Sequence, residues 1–194
     1  IVTPPELIEA CRSIYAQHRT ALDLIFEHGH ESTLSQAFEL FSADVSVATP
    51  LKLAAARSTT VFFLFESWLK ITGHPLADRK RWSSTFPVLL WFEVQSKKMH
   101  LRAEVGPFLD PTAKASFLAQ FPPGWIETKN KIGGKGIFTR VKRTSTTLPE
   151  DPSSDDLYDA MEKLWSDSKA WKIEEVVRGA VAAHATAAPV ADAV

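Results

Sequence analysis

Apolar and polar residues alternate along two adjacent segments, residues 86–95 and 98–107, which a short polar stretch connects. A period of two is typical of strands with one buried face, so the pattern predicts a β-hairpin. Shifting the pairing by one residue would mix apolar and polar side chains on both faces, which strongly favours one register. The predicted pairs on the buried face are Val94–Met99, Phe92–Leu101, Leu90–Ala103 and Val88–Val105. On the other face, the register predicts the pairs Glu93–His100 and Trp91–Arg102.

Other segments have helical or strand patterns of their own. Apolar residues at helical spacing predict N-terminal helices within residues 4–41, with Cys11 on the buried stripe of the first. Asp-Pro pairs at residues 110–111 and 151–152 predict two further helix starts, and a last helix is predicted from residue 169 to 185. β-Branched and aromatic residues predict a strand over 59–65, and two more strands are predicted at 125–132 and 137–143.

Helices and strands do not alternate regularly in this order. The prediction is therefore an α+β fold, with an antiparallel sheet built around the central hairpin and packed with N- and C-terminal helices. We expect one domain over residues 1–186 and a frayed tail over 187–194. The predicted parts of this domain are helices within 4–41, the sheet and one helix within 57–145, and C-terminal helices within 151–186.

Composition narrows the class of protein. The 194 residues are 45% hydrophobic, which is enough for a sizeable core. No apolar run approaches the roughly 18 residues of a membrane span, and no signal segment opens the chain. The single cysteine excludes an intramolecular disulfide. These features predict a cytoplasmic protein, and the first residue, Ile1 rather than Met, leads us to expect a segment of a longer protein.

Charge is segregated along the chain. Seven acidic residues and one basic residue lie between Glu150 and Asp167, whereas six basic residues and no acid lie between Lys129 and Arg143. In the predicted strand 137–143, Phe138 alternates with basic residues on one face, a pattern that suits a phosphate backbone and a base. A solvated sheet face would explain the same residues. The candidate nucleic-acid-binding residues are Lys129, Lys131, Lys135, Arg140, Lys142 and Arg143, with Phe138, Arg140 and Lys142 expected on one face.

Metal-dependent catalysis has weaker support. Asp110 followed by Glu127-Thr128-Lys129 resembles the carboxylate and lysine set of a metal-dependent nuclease. Acid-x-Lys triplets occur three times in this chain, however, and Asp110 is also suited to cap a helix. On the hairpin, a cation site of Glu93, His100 and Glu104 competes with simple pairing of Glu93 with His100 and stacking of Arg102 on Trp91. We therefore assign no catalytic residue, metal or cofactor to this segment.

Five short motifs occur in the order found in one protein family. They resemble the C-terminal region of bacterial and phage PD-(D/E)XK nuclease-like proteins, and the resemblance covers about residues 5–178. The hairpin end, Leu101-Arg-Ala-Glu-Val-Gly-Pro107, is similar to an acid-hydrophobic-Gly-Pro signature of that family. The other motifs are Tyr15-Ala-Gln-His-Arg19, Phe65-Glu-Ser-Trp68, Ile137-Phe-Thr-Arg-Val141 and Met161-Glu-Lys-Leu-Trp165.

The resemblance implies a non-catalytic module, because the catalytic carboxylates of that family lie upstream of the matching region. It implies attachment to a nuclease domain, with a role in defence against foreign DNA. The resemblance leaves the partner of the module itself open among DNA, the upstream domain and a second copy. Two alternatives stay open. The chain is a structural, protein-interaction or dimerisation module, or it is a self-contained metal-dependent nuclease that uses Asp110, Glu127 and Lys129.

Overall fold

A computed structural model describes residues 5–28, 32–46, 49–75, 77–126 and 138–187. The chain separates into two compact units, residues 1–32 and 33–194. The prediction of one domain over 1–186 with a frayed tail stays a prediction. No helix in the described residues is both long and apolar enough to cross a bilayer.

In the first unit, residues Pro5–His28 form helix α1, whose backbone departs from helical geometry at His18. Its side chains from residue 7 to residue 20 are all exposed. Leu7 and Ile14 are each 53% exposed. Cys11 is exposed as well, so its predicted place in a core is wrong. Apolar residues of α1 therefore recur at helical spacing as predicted, but Leu7, Ile8 and Ile14 are exposed.

In the described part of the second unit, five strands form one antiparallel sheet in the order β1-β2-β3-β4-β5. Helices precede and follow the sheet, so the α+β prediction is confirmed. The strands are β1 (Leu51–Arg57), β2 (Thr60–Phe65), β3 (Val88–Gln95), β4 (Lys98–Val105) and β5 (Thr139–Thr147). The helices are α2 (Thr33–Ser46), α3 (Glu66–Leu69), α4 (Pro111–Leu118), α5 (Ser154–Ser168) and α6 (Ile173–Ala187).

The central hairpin has the predicted register. Val94 pairs with Met99, Phe92 with Leu101 and Trp91 with Arg102. Ser96 and Lys97 connect the strands with φ angles of 51° and 57°. Two consecutive left-handed residues form the type I′ turn, whose twist matches that of the flanking strands. The turn therefore also fixes the register of β3 and β4.

One face of the sheet is apolar and carries the core. Phe63 of β2 and Phe92 of β3 are fully buried there, with ring centroids 5.2 Å apart. Phe41 of α2 meets Phe92 edge-on at 5.3 Å, and Trp165 of α5 lies 6.2 Å from Phe63. Helices α2 and α5 therefore cover this apolar face, as predicted for the hairpin residues.

Several predicted boundaries are wrong. Helix α5 is capped by Ser153, whose hydroxyl accepts from the backbone N–H of Asp156, rather than by Asp151. The last helix begins at Ile173, because Lys172 adopts a left-handed φ of 48° after a short 3-10 turn over Lys169–Trp171. Residues 125 and 126 are not in a strand, and the rest of the predicted strand 125–132 lies outside the described residues.

Candidate functional site

The face of the sheet opposite the apolar core carries most of the strand charges. Residues directly opposite each other on neighbouring strands share a face. One row of such pairs crosses four strands as Phe62, Trp91, Arg102 and Arg143. We name this surface the polar face. Its charged residues are six basic ones and the two carboxylates that occur on the described strands: Lys52, Arg57, Lys98, Arg102, Arg140, Arg143, Glu93 and Glu104.

A bulge in β5 determines which basic residues belong to the polar face. Ala103 of β4 pairs with Lys142, but the next residue, Glu104, pairs with Arg140. Val141 is therefore an additional residue on β5, and the alternation of faces changes at this point. Ala103 is fully buried on the apolar face, so its partner Lys142 lies on that side too.

The bulge separates two neighbouring cations. Lys142 extends over the ring of Trp125, with its Nζ 5.0 Å from the ring centroid. Arg143 pairs with Arg102, which places it on the polar face with Arg140. The prediction that Arg140 and Lys142 share a face is wrong, because it assumed strict alternation through residue 141. The pair that shares the face is Arg140 and Arg143.

The guanidinium of Arg102 makes an ion pair within this face. Its Nη1 lies 2.5 Å from Glu93 Oε2, and Nη2 lies 3.5 Å from Gln95 Oε1. Arg102 is thus directed to Glu93 rather than stacked on Trp91 as predicted. His100 is directly opposite Glu93, but the close ion pair of Glu93 is with Arg102. Partial burial and Arg102 lower the pKa of His100, and Glu93 raises it, so the imidazole adds little positive charge at neutral pH.

Glu104 is the other carboxylate of the polar face. Burial raises its pKa to about 7, although Arg140, Lys114 of α4 and Arg102 each act to lower it. Burial also lowers the pKa of Lys114 to about 8, and Glu104 opposes that change. At neutral pH a carboxyl group with this pKa carries only part of a negative charge. The polar face therefore has an excess of positive charge.

Aromatic rings accompany the cations on the polar face. The Arg57 guanidinium carbon lies 5.5 Å from the centroid of the Phe62 ring, the geometry of a cation–π contact. Phe62 lies 5.5 Å from Trp91, which is 6% exposed. Arg57 is exposed and Phe62 is half-buried, so this pair presents planar groups at the surface.

The acidic residues of α5 lie on the other side of the sheet. Helix α5 covers the apolar face, and its buried stripe includes Leu157, Met161 and Leu164. The acids between Glu150 and Asp167 are all exposed. Charge that is segregated along the sequence is therefore also segregated in space, with carboxylates above the apolar face and arginines on the polar face.

Of the three residues considered for a nuclease site, the structure describes Asp110 alone. Asp110 caps α4, and its Oδ1 accepts from the backbone N–H of Thr112 at 2.9 Å, as predicted. Hydrogen bonds from Thr112 lower the pKa of Asp110. Glu127 and Lys129 lie outside the described residues, as do the candidate nucleic-acid-binding residues Lys131 and Lys135. The described part of the chain contains no group of three or more His, Cys, Asp or Glu side chains that could hold a metal ion.

Sequence reasoning predicts β2 but misses β1 and its contribution to this site. Residues 44–57 have no clear pattern, so Lys52 and Arg57 were not placed on the sheet. The signal available was the length of the connection, because Ser58 and Thr59 alone separate β1 from β2. A two-residue connection between strands is typical of a hairpin, which would have set Arg57 beside the strand that carries Phe62.

No family model, no curated protein and no solved structure matches this chain.

Proposed function

We propose that this chain is a non-catalytic module of a PD-(D/E)XK-like nuclease and contacts nucleic acid through the polar face. The observation that carries the proposal is the pairing of Arg102 with Arg143 directly across two strands. Glu93 balances the charge of Arg102, whose side chain is 11% exposed. Arg143 is exposed, so a phosphate backbone that contacts Arg143 would gain from the positive charge of this row.

The distribution of charge over the second unit supports the same proposal. A polyanion is repelled by the exposed acids of α5 and attracted by the arginines on the opposite side of the sheet. Such asymmetry orients an approaching nucleic acid even when the net charge is close to zero, here −1. The nucleic acid would therefore meet the polar face first.

Two adjacent residues provide a matched test. Arg143→Gln and Lys142→Gln each remove one positive charge from β5, but only Arg143 is on the polar face. A titration of labelled DNA and RNA at several salt concentrations should show weaker binding for Arg143→Gln, with the salt slope reduced by about one. Lys142→Gln should bind like the unchanged chain and keep its salt slope.

Equal losses of binding affinity in the two variants would mean that the overall charge of the chain, rather than the polar face, attracts the polyanion. Absence of binding at low salt would overturn the proposal. Thermal unfolding of each variant provides the folding control, because a misfolded chain would lose binding for another reason.

A second candidate function is self-association, which the exposed apolar residues of α1 favour. Leu7, Ile8, Ile14 and Tyr15 are between 41% and 53% exposed and recur at helical spacing. Burial of apolar side chains stabilises a helix, so a second copy that packs on these residues would stabilise α1. Light scattering during gel filtration measures this directly. A dimer that Ile14→Ser converts to a monomer would support self-association, and a monomer at all concentrations would contradict it.

A further inference from the structure

The polar face combines phosphate-binding groups with an accessible planar pair. Arg57 places its guanidinium over the Phe62 ring, and both residues lie on the face that carries Arg102 and Arg143. An arginine can bind phosphate without an aromatic ring beside it. Bases, in contrast, stack on both aromatic rings and guanidinium planes. We infer that the nucleic acid bound by the polar face is single-stranded and that one of its bases stacks on the Arg57–Phe62 pair. This inference rests on the proposed function.

The distance between the Arg57–Phe62 pair and Arg143 fits a single nucleic-acid strand that crosses the sheet. Phe62 and Arg143 are three strands apart in the same row. With strands about 4.8 Å apart, this separation is about 14 Å, a distance that a few nucleotides span. A base stacked at Arg57 would then leave neighbouring phosphates within reach of Arg143, which is exposed.

A duplex fits the same surface less well. Bases in a duplex are stacked on one another, so the planar pair would have no free base to contact. Duplex phosphates could still meet the arginines, but the Arg57–Phe62 pair would contribute nothing except the charge of Arg57. Selectivity for single strands is therefore the property that separates base stacking from simple attraction to phosphate.

Three probes of equal length test this in fluorescence anisotropy titrations with the whole chain: oligothymidylate, an abasic strand with the same backbone charge, and a duplex. We expect oligothymidylate to bind about 5- to 150-fold more tightly than the abasic strand, the range for stacking of one base. The duplex should bind no more tightly than the abasic strand. Equal affinity for oligothymidylate and the abasic strand would overturn the inference, and so would a preference for the duplex.

Arg57→Lys is the decisive variant, because it keeps the charge and removes the guanidinium plane. Its affinity for oligothymidylate should fall to the level of the abasic strand, with an unchanged salt slope. Phe62→Leu should have the same effect, and thermal unfolding shows whether each variant is folded. Unchanged selectivity in folded Arg57→Lys and Phe62→Leu would overturn the inference.

The two proposals can fail separately. Arg143→Gln should weaken binding of oligothymidylate and the abasic strand by the same factor, since it removes a phosphate contact. If Arg143→Gln binds both probes more weakly, but the unchanged chain binds oligothymidylate and the abasic strand equally, the polar face binds nucleic acid and only the inference of base stacking is wrong. If none of the probes binds, both proposals fail.

Discussion

Arg143 lies directly opposite Arg102 on the neighbouring strand, so two guanidinium groups share one row of the polar face. Glu93 forms an ion pair with Arg102, with the atoms 2.5 Å apart, and so neutralises one of the two charges. Burial lowers the pKa of Arg102 and Glu93 raises it, while repulsion from Arg140 and Arg143 acts to lower it as well.

Two neighbouring substitutions should differ in their effect on stability. Arg143→Gln replaces an exposed cation that lies opposite Arg102, whose charge Glu93 already balances, and should change the free energy of unfolding by less than about 0.5 kcal/mol. Lys142→Gln removes a cation–π contact with Trp125 and should lower it by about 0.5–1 kcal/mol. Urea denaturation at low salt measures both. A loss of stability in Arg143→Gln as large as that in Lys142→Gln would contradict the position of the bulge.

Glu104→Gln should change how stability depends on pH. The pKa of Glu104 is about 7 in the folded chain, above its ordinary value of 4.5, so the folded state binds the extra proton between these values. The unchanged chain should therefore lose stability as pH rises from about 4.5 to 7, with no further loss from this group at higher pH. Glu104→Gln should remove this decline, which chemical denaturation at a series of pH values can measure.

The same variant should bind nucleic acid more tightly above pH 7, because a negative charge opposite Arg140 is lost.

If the stability of Glu104→Gln still fell between about pH 4.5 and 7, another group would account for that loss of stability. His100→Gln is the control for that possibility, since the imidazole lies on the same strand.

Phe92 is the centre of the aromatic core, with ring contacts to Phe41 at 5.3 Å and to Phe63 at 5.2 Å. Phe92→Ala should lower the free energy of unfolding by about 3–5 kcal/mol, because it leaves a cavity between the sheet and α2. Leu53→Ala is the control, since Leu53 is 47% exposed and its truncation leaves no cavity. Similar decreases in the free energy of unfolding for the two variants would contradict the assignment of the apolar face.

Gly106 has a packing role in the Gly-Pro motif that ends the hairpin. A Cβ at this position would lie 2.5 Å from Cδ2 of the Trp82 ring. The indole is held in place by its Nε1, which donates to the carbonyl oxygen of Phe86 at 2.9 Å. Gly106→Ala should therefore destabilise the fold by about 1–3 kcal/mol, an overpacking cost that thermal unfolding can detect. An equally stable variant would mean that Trp82 moves aside freely.

The chain should not cleave DNA with magnesium or manganese, because Asp110 serves as a helix cap. Asp110→Asn retains a good cap and removes a carboxylate that a metal site would need. Gel assays of the unchanged chain, Asp110→Asn and Glu127→Gln provide the measurement. Cleavage by the unchanged chain that both variants lose would establish the metal-dependent nuclease alternative instead.

Local patterns in the sequence were sufficient for the hairpin and for the α+β class. The register of β3 and β4 follows from alternation on two adjacent segments, and a slip of one residue would expose Phe92 and Leu101. Asp110 was identified as a cap because capping depends on residues next to each other in the chain. The segregation of acids and bases was also visible, although not the surfaces that they occupy.

Only the tertiary structure determined the polar face as a site. Its central row joins Phe62, Trp91, Arg102 and Arg143 from four strands, and the order of strands in a sheet depends on contacts between distant parts of the chain. The bulge at Val141 inserts one residue without any distinctive local pattern, and it exchanges Lys142 for Arg143 on this face. Alternation predicts a face only as far as the strand is regular, and the balance of cross-strand packing decides where that regularity ends.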